Sequence, residues 1–320
     1  MKFIKLATSI GLTIGSVLFV SNSAHALGFT TNIEDYSSVA EKGSQEYKDY
    51  SEAKKNEIKK RAKEDFILES ITQTDSNGID QTFSNFVFVD DDVRVWNNDK
   101  WTRGNEGAAS TDAGDNTAFA KNKETREDPT ANQMAKFLKT NNLNHIIDTE
   151  DSGTFSMGIF FDSLIQKDNT GLDNLFFFER GMNSNMLIQA LDSDGNTIGN
   201  QLLLKGKNKK ISQTLAKEIG DITIKDDQEY AGYQINTTEI GSSQNVGSWG
   251  VSLDELGVDN LAGVKIYASG RSYQGPDFKL VARQSSSVRM AKATKVPEPG
   301  TIIGLGSVAA LAFFRRRKSK

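Results

Sequence analysis

The pattern of apolar and polar positions changes period near residue 80. From Ser37 to Leu68, Tyr47, Tyr50, Ile58, Ala62 and Phe66 recur at roughly helical spacing among many Glu, Lys and Asp residues, and Glu57 stands four residues before Arg61. This spacing predicts one charged helix with a thin apolar stripe, most of it facing water. Beyond it the period falls to two. Runs rich in β-branched and aromatic residues at 82–89, 93–96, 155–165, 174–178, 186–191, 197–204, 219–224, 230–237, 247–253, 264–268 and 278–283, separated by Gly, Asn and Asp, predict strands. Phe176-Phe177-Phe178 has no polar break, so its strand is expected to be buried on both faces or to lie at a sheet interface. The stretch 101–132 is almost without large apolar residues and reads as a surface loop, with a helical turn at Ala131 to Leu138 after Pro129. Strands do not alternate with helices, which excludes doubly wound and α/β-barrel folds. The expected fold is mainly β: an antiparallel β-sandwich of jelly-roll or galactose-binding-like type over 81–283. A polar helical extension (27–80) precedes it and a flexible linker (284–296) follows.

Both ends read as addresses. Lys2 and Lys5, the apolar run from Leu6 to Val20 and Ala24-His25-Ala26 form a secretory signal over 1–26, cut by signal peptidase after Ala26. At the other end Val296-Pro297-Glu298-Pro299-Gly300 is followed by an uncharged run from Thr301 to Phe314 and by Arg315, Arg316, Arg317 and Lys318. About 14 residues in a helix span ~21 Å, short of the ~30 Å hydrocarbon core, so this short transmembrane helix suits a processed membrane stop better than a permanent anchor. The basic end would stay on the cytoplasmic side.

A Pro-Glu-Pro motif, a short apolar helix and a basic end, in that order over 297–320, resemble the PEP-CTERM sorting signal of exported Gram-negative proteins. The resemblance implies an exosortase partner, an integral-membrane cysteine protease that removes the tail. Segments of the body, Asn144 to Phe155, Asp173 to Ser184, Gly247 to Val251, Leu256 to Val258 and Pro276 to Phe278, are similar to a family of exosortase-dependent surface proteins. That similarity implies location and fold, and brings no activity or ligand with it.

Without both signals the body, 27–296, carries a charge of about −10 against −4 for the whole chain, which argues against nucleic acid or an anionic lipid surface as partner. The chain has no cysteine, so it lacks disulfides, thiol nucleophiles and cysteine metal sites, and His145 is the one histidine beyond the signal.

Candidate chemistry is thin. Glu179 and Arg180 end the Phe strand and are candidates for gripping an acidic or sugar ligand. Asp192, Asp194 and Asn196 sit in Asp192-Ser193-Asp194-Gly195-Asn196, which reads as a hairpin turn and also as the start of a calcium loop. It fails the EF-hand pattern because Leu203 stands where the bidentate Glu belongs. Asp90-Asp91-Asp92 and the trio Asp148, Glu150 and Asp151 are further acidic clusters, so a structural calcium is the one cofactor left open. Trp96, Trp101 and Trp249 could form a sugar-stacking platform, although Trp249 lies in a strand-like run that points to the core. No nucleophile elbow, phosphate loop or singled-out carboxylate pair appears, so no enzyme is expected. The expectation is a non-catalytic cell-surface, outer-envelope or extracellular-matrix protein. The alternative is a module that binds surface polysaccharide, with a polysaccharide hydrolase ranked last.

Overall fold

The computed structural model describes residues 28–99, 108–112, 128–168, 170–207, 209–225, 228–236, 242–283 and 289–290. The expected signal, with Ala24 and Ala26, and the expected tail from Val296 onward lie outside them. In chain order the elements are β1 (Thr30–Ile33), α1 (Gln45–Asp49), α2 (Glu52–Arg61), β2 (Leu68–Thr74), β3 (Asp80–Phe83), β4 (Phe86–Val87), β5 (Val89–Asn98), β6 (Ala109–Asp112), α3 (Ala131–Leu138), β7 (Ile146–Thr149), β8 (Thr154–Gln166), β9 (Leu175–Arg180), β10 (Met186–Leu191), β11 (Thr197–Leu204), α4 (Gln213–Ile219), β12 (Thr223–Lys225), β13 (Glu229–Ile235), β14 (Gln244–Val251), β15 (Asn260–Ser269), β16 (Phe278–Arg283) and β17 (Arg289–Met290).

The strands form three sheets, antiparallel throughout except where β11 meets β12. A six-stranded sheet runs β12-β11-β10-β15-β8-β5. A seven-stranded sheet runs β13-β14-β9-β16-β7-β6, with β4 also on β16. A four-stranded sheet runs β1-β2-β3-β17.

One core cluster joins Met157, Ile159, Ile188 and Ile266 of the six-stranded sheet to Leu175, Phe177, Trp249 and Leu280 of the seven-stranded one. Across that gap Phe155 stacks on Phe278, with ring centroids 6.4 Å apart. A second cluster lies on the other face of the seven-stranded sheet, where Phe176, Phe178 and Val281 pack against Ile33, Leu68, Ile71 and Phe83 of the four-stranded sheet. The middle sheet is therefore buried on both sides. Alternation along β9 sends Phe177 one way and Phe176 and Phe178 the other, so all three are removed from water, each burial worth ~1.5–3 kcal/mol. This is the physical content of the unbroken Phe run.

Five expectations need correction. The charged stretch is two short helices, because Ser44 and Ser51 both adopt extended backbone and accept N-terminal amides, the second from Lys54, which ends one helix and starts another. The stretch from 27 to 80 also contains β1 and β2, whose half-polar alternation was masked by the charge around it. The expected loop 101–132 contains β6, a fully buried Ala-Ser-Thr-Asp strand paired to β7, invisible to a search for large apolar residues. The expected strand at 219–224 is instead the end of α4 followed by β12. Ser212 caps α4 by accepting from Leu215, and Gly220, at φ 58°, terminates it. Within the linker expected at 284–296, Arg289–Met290 form β17 and pair with β3. Among the described residues no helix is long and apolar enough to cross a membrane.

Candidate functional site

Glu179 and Arg180 close β9 and face opposite sides of the seven-stranded sheet. Arg180 meets carboxylates from three neighbouring chain segments. Its Nη2 donates to Oδ2 of Asp148 on β7 at 2.9 Å and to Oδ2 of Asp277 at 2.8 Å, and Nε donates to the same Asp277 oxygen at 3.0 Å. Asp112, on β6, lies 3.9 Å from Nη1. All four residues are buried. Burial works against the guanidinium, but Asp277, Asp148 and Asp112 outweigh it and hold Arg180 above its usual pKa. Burial, reinforced by the charge of Asp148, pushes Asp277 well above the carboxylate range. Asp277 also accepts from the Thr149 amide through Oδ1 at 3.0 Å, so the cluster pins the loop before β16 to β7 and β9. A guanidinium committed to three carboxylates makes a strut; it presents no charge to an acidic ligand.

Glu179 faces the inner core. Its Oε2 accepts from Gln228 Nε2 at 3.1 Å, while Oε1 has no hydrogen-bond partner among the described residues. Burial, only partly offset by the Gln228 hydrogen bond and the Arg180 charge, raises its pKa to about 8 and so favours the protonated acid at neutral pH.

Two more buried basic side chains, Lys279 and Arg283, hold the fold. Lys279 Nζ donates to the carbonyls of Phe137 and Leu138 at 2.7 and 2.9 Å and to Thr140 Oγ1 at 3.3 Å, closing the C-terminal end of α3. Burial drives its pKa well below that of a free lysine. His145 completes this corner. Asn142 Oδ1 accepts from the Phe66 and Asn144 amides, so Asn142 Nδ2 donates to His145 Nε2 at 3.2 Å, and Nδ1 carries the proton toward Thr140 Oγ1 at 3.0 Å. Burial, helped by Lys279, depresses the imidazole to about 3, the opposite of what a general base needs.

Arg283 is fully buried, pairs with Asp168 at 2.7 Å and donates to the Leu172 carbonyl at 3.2 Å. Next to it Asp173 accepts from Gln73 Nε2 at 2.6 Å and returns its own amide to Gln73 Oε1 at 3.1 Å, fastening β2 to the strand start of β9. Burial raises Asp173 to about 6.

Asp192, Asp194 and Asn196 are brought together, but as a self-satisfied turn. Asp192 Oδ1 accepts from the amides of Asp194 and Asn196 at 3.0 and 2.8 Å, and Oδ2 accepts from Asn196 Nδ2 at 3.1 Å. Arg94 Nη1 donates to the Asp194 carbonyl at 2.9 Å, so this carbonyl oxygen already has a cationic partner. In the other acidic clusters Asp92 pairs with Arg94 and Asp91 with Lys139, while Asp148 belongs to the Arg180 cluster. Among the described residues no group of three or more His, Asp and Glu side chains is arranged to hold a metal ion. Trp249 is buried and donates to the Lys205 carbonyl at 3.2 Å, as its strand-like run implies; Trp96 is exposed, and Trp101 lies outside the described residues.

Sequence reasoning missed Asp112, Gln228, Asp277, Lys279 and Arg283. One signal was available: Lys279 and Arg283 interrupt Phe-Lys-Leu-Val-Ala-Arg, a strand that is otherwise apolar on both faces, and a charge in such a run must be paired inside.

Comparison with known proteins places the decisive match away from these networks. The family model described as the PEP-CTERM protein-sorting motif matches residues 295–318. The chain carries a PEP-CTERM sorting signal. This signal implies recognition by an exosortase, a membrane protease-like partner, and sorting of an exported protein to the cell surface. No curated protein and no solved structure matches the chain. The PEP-CTERM match therefore informs destination and leaves the chemistry of the body to its own geometry.

Proposed function

We propose that the chain is exported, loses 1–26 to signal peptidase and its tail to an exosortase, and is displayed on the surface, outer envelope or extracellular matrix of a Gram-negative bacterium. In this reading the body is a non-catalytic jelly-roll-type sandwich contributing to a biofilm-like matrix. The observation that carries it is the sorting motif at 295–318. The non-catalytic part is supported by how the interior charges are used: Arg180, Lys279 and Arg283 each tie strand or helix ends together, and His145 is kept neutral.

Intact mass spectrometry of the protein recovered from envelope and medium tests the reading, comparing wild type with Pro297→Ala and Pro299→Ala. The expected result is a wild-type mass lacking 1–26 and the tail, with the tail retained in both variants. A wild-type tail that stays on would overturn exosortase processing.

A further inference from the structure

The outer face of the six-stranded sheet carries a cleft of about 250 Å³ that neither sorting nor the core accounts for. One wall is α4 with Glu218, and the floor is the outward side of β10, β11 and β15, with Gln189, Gln201, Lys265 and Tyr267. Tyr267 and Tyr273 meet edge to face, ring centroids 5.7 Å apart at 87°, and both hydroxyls donate to Glu218 Oε1 at 3.2 and 3.4 Å. Glu218 is thereby held in one orientation, while its Oε2 has no hydrogen-bond partner among the described residues. Gln189 is fixed by donating to the Gly199 carbonyl at 3.2 Å, and its side-chain oxygen likewise has no partner among the described residues.

Lys265 links this cleft to an aromatic platform. Its Nζ lies over the ring of Trp96, 5.4 Å from the centroid, and Trp96 is 47 % exposed, the largest exposed aromatic of the described surface. One edge of the indole rests on the sheet where position 158 is glycine: a Cβ there would come within 2.7 Å of the ring. Gly158 pairs with both Lys265 and Arg94, so platform and cleft share one row across the sheet.

An exposed indole beside fixed acceptors and amides matches one ligand chemistry in particular. A pyranose ring has a C–H face that stacks on an aromatic and a rim of hydroxyls that hydrogen-bond to carboxylate and amide groups. The cleft is smaller than the ~300–1,000 Å³ of drug-sized sites and has room for a single ring, so a longer chain would continue over Trp96. The unengaged Glu218 oxygen and the acidic body both disfavour an anionic polymer. We propose that this face binds a neutral pyranose polysaccharide, one sugar held by Glu218 and Gln189 and the next stacked on Trp96.

The test is affinity electrophoresis of the protein recovered from the producing cell, run through gels containing a neutral glucan, galactan or mannan and, separately, a polyuronate. Thermal melting of every variant is measured alongside. Retardation by at least one neutral polymer is expected, weakened about tenfold or more in Trp96→Ala and in Glu218→Gln. Gly158→Ala should lift the indole off the sheet and weaken retention while leaving the melting temperature near that of wild type. Absence of retardation by every neutral polymer, retention by the polyuronate alone, or unchanged binding in both Trp96→Ala and Glu218→Gln would overturn the proposal. Tail-bearing and tail-free forms are run separately, so a failure of sorting and a failure of binding are read independently.

Discussion

Arg180 and Asp277 are joined three times: Nε and Nη2 of the guanidinium reach the same carboxylate oxygen at 3.0 and 2.8 Å, and the Arg180 amide donates to the Asp277 carbonyl at 2.9 Å. Removing the cation leaves Asp112, Asp148 and Asp277 buried around a vacated charge. Arg180→Met is expected to lower unfolding free energy by ~3–5 kcal/mol, the range for breaking a buried pair from one side. Asp277→Asn should cost less, because it removes the repulsion with Asp148 while keeping an acceptor for the Thr149 amide. Urea denaturation of the two variants at pH 7 checks the order; equal losses would mean the cluster is not the strut described.

Glu179 predicts a slope in the pH dependence of stability. Its folded pKa, about 8, lies above an unfolded value near the ordinary ~4.3, so the folded state binds the extra proton. Its contribution is fully present below the unfolded pKa and is lost as pH rises through about 8. Glu179→Gln should remove that part of the slope and be more stable than wild type at pH 8.5. Denaturation midpoints from pH 4 to 9 measure this, and parallel curves for the two proteins would refute it.

His145 carries the opposite sign. Its folded pKa is pushed down to about 3, so its contribution is present above the unfolded value of ~6.5 and is lost as pH falls toward 3. The imidazole resonances of His145 should stay flat between pH 5 and 8, with the proton on Nδ1. A midpoint near 6.5 in an NMR titration would show that the corner formed by Thr140, Asn142 and Lys279 is open to water.

Gly250, on β14, has no room for a methyl group: an added Cβ would stand 1.9 Å from Oδ2 of Asp173. Asp173 cannot retreat cheaply, since it is buried and tied to Gln73 at 2.6 Å. Gly250→Ala should cost ~1–3 kcal/mol and loosen the four-stranded sheet first. Hydrogen exchange of the β2 amides is the specific readout.

Much of the middle of the chain was legible from its period. Met186 to Leu191, Thr197 to Leu204 and Phe278 to Arg283 match β10, β11 and β16 residue for residue; the first two are flanked on both sides by Asn, Asp or Gly, and the third is opened by Pro276-Asp277. The helical turn at Ala131 to Leu138 is α3, announced by Pro129 and a Thr130–Gln133 capping box. What was hidden was hidden for local reasons. Ala109 to Asp112 owes its place in the sheet to β7 and not to its own apolarity, and α4 ends on an Ile-Gly that imitates a strand start. The interior ion clusters were out of reach because Asp112, Asp148, Arg180 and Asp277 converge from positions far apart in the chain, and only the sheet order brings them together.

The third layer gives the molecule a back and a front. β17, the last described strand before the sorting signal, lies in the four-stranded sheet, and the six-stranded sheet is two layers away across the doubly buried middle sheet. The two outer sheets therefore present unlike surfaces, the four-stranded one carrying the last described strand and the six-stranded one carrying Trp96, so the stack has a polarity that its sheet order fixes.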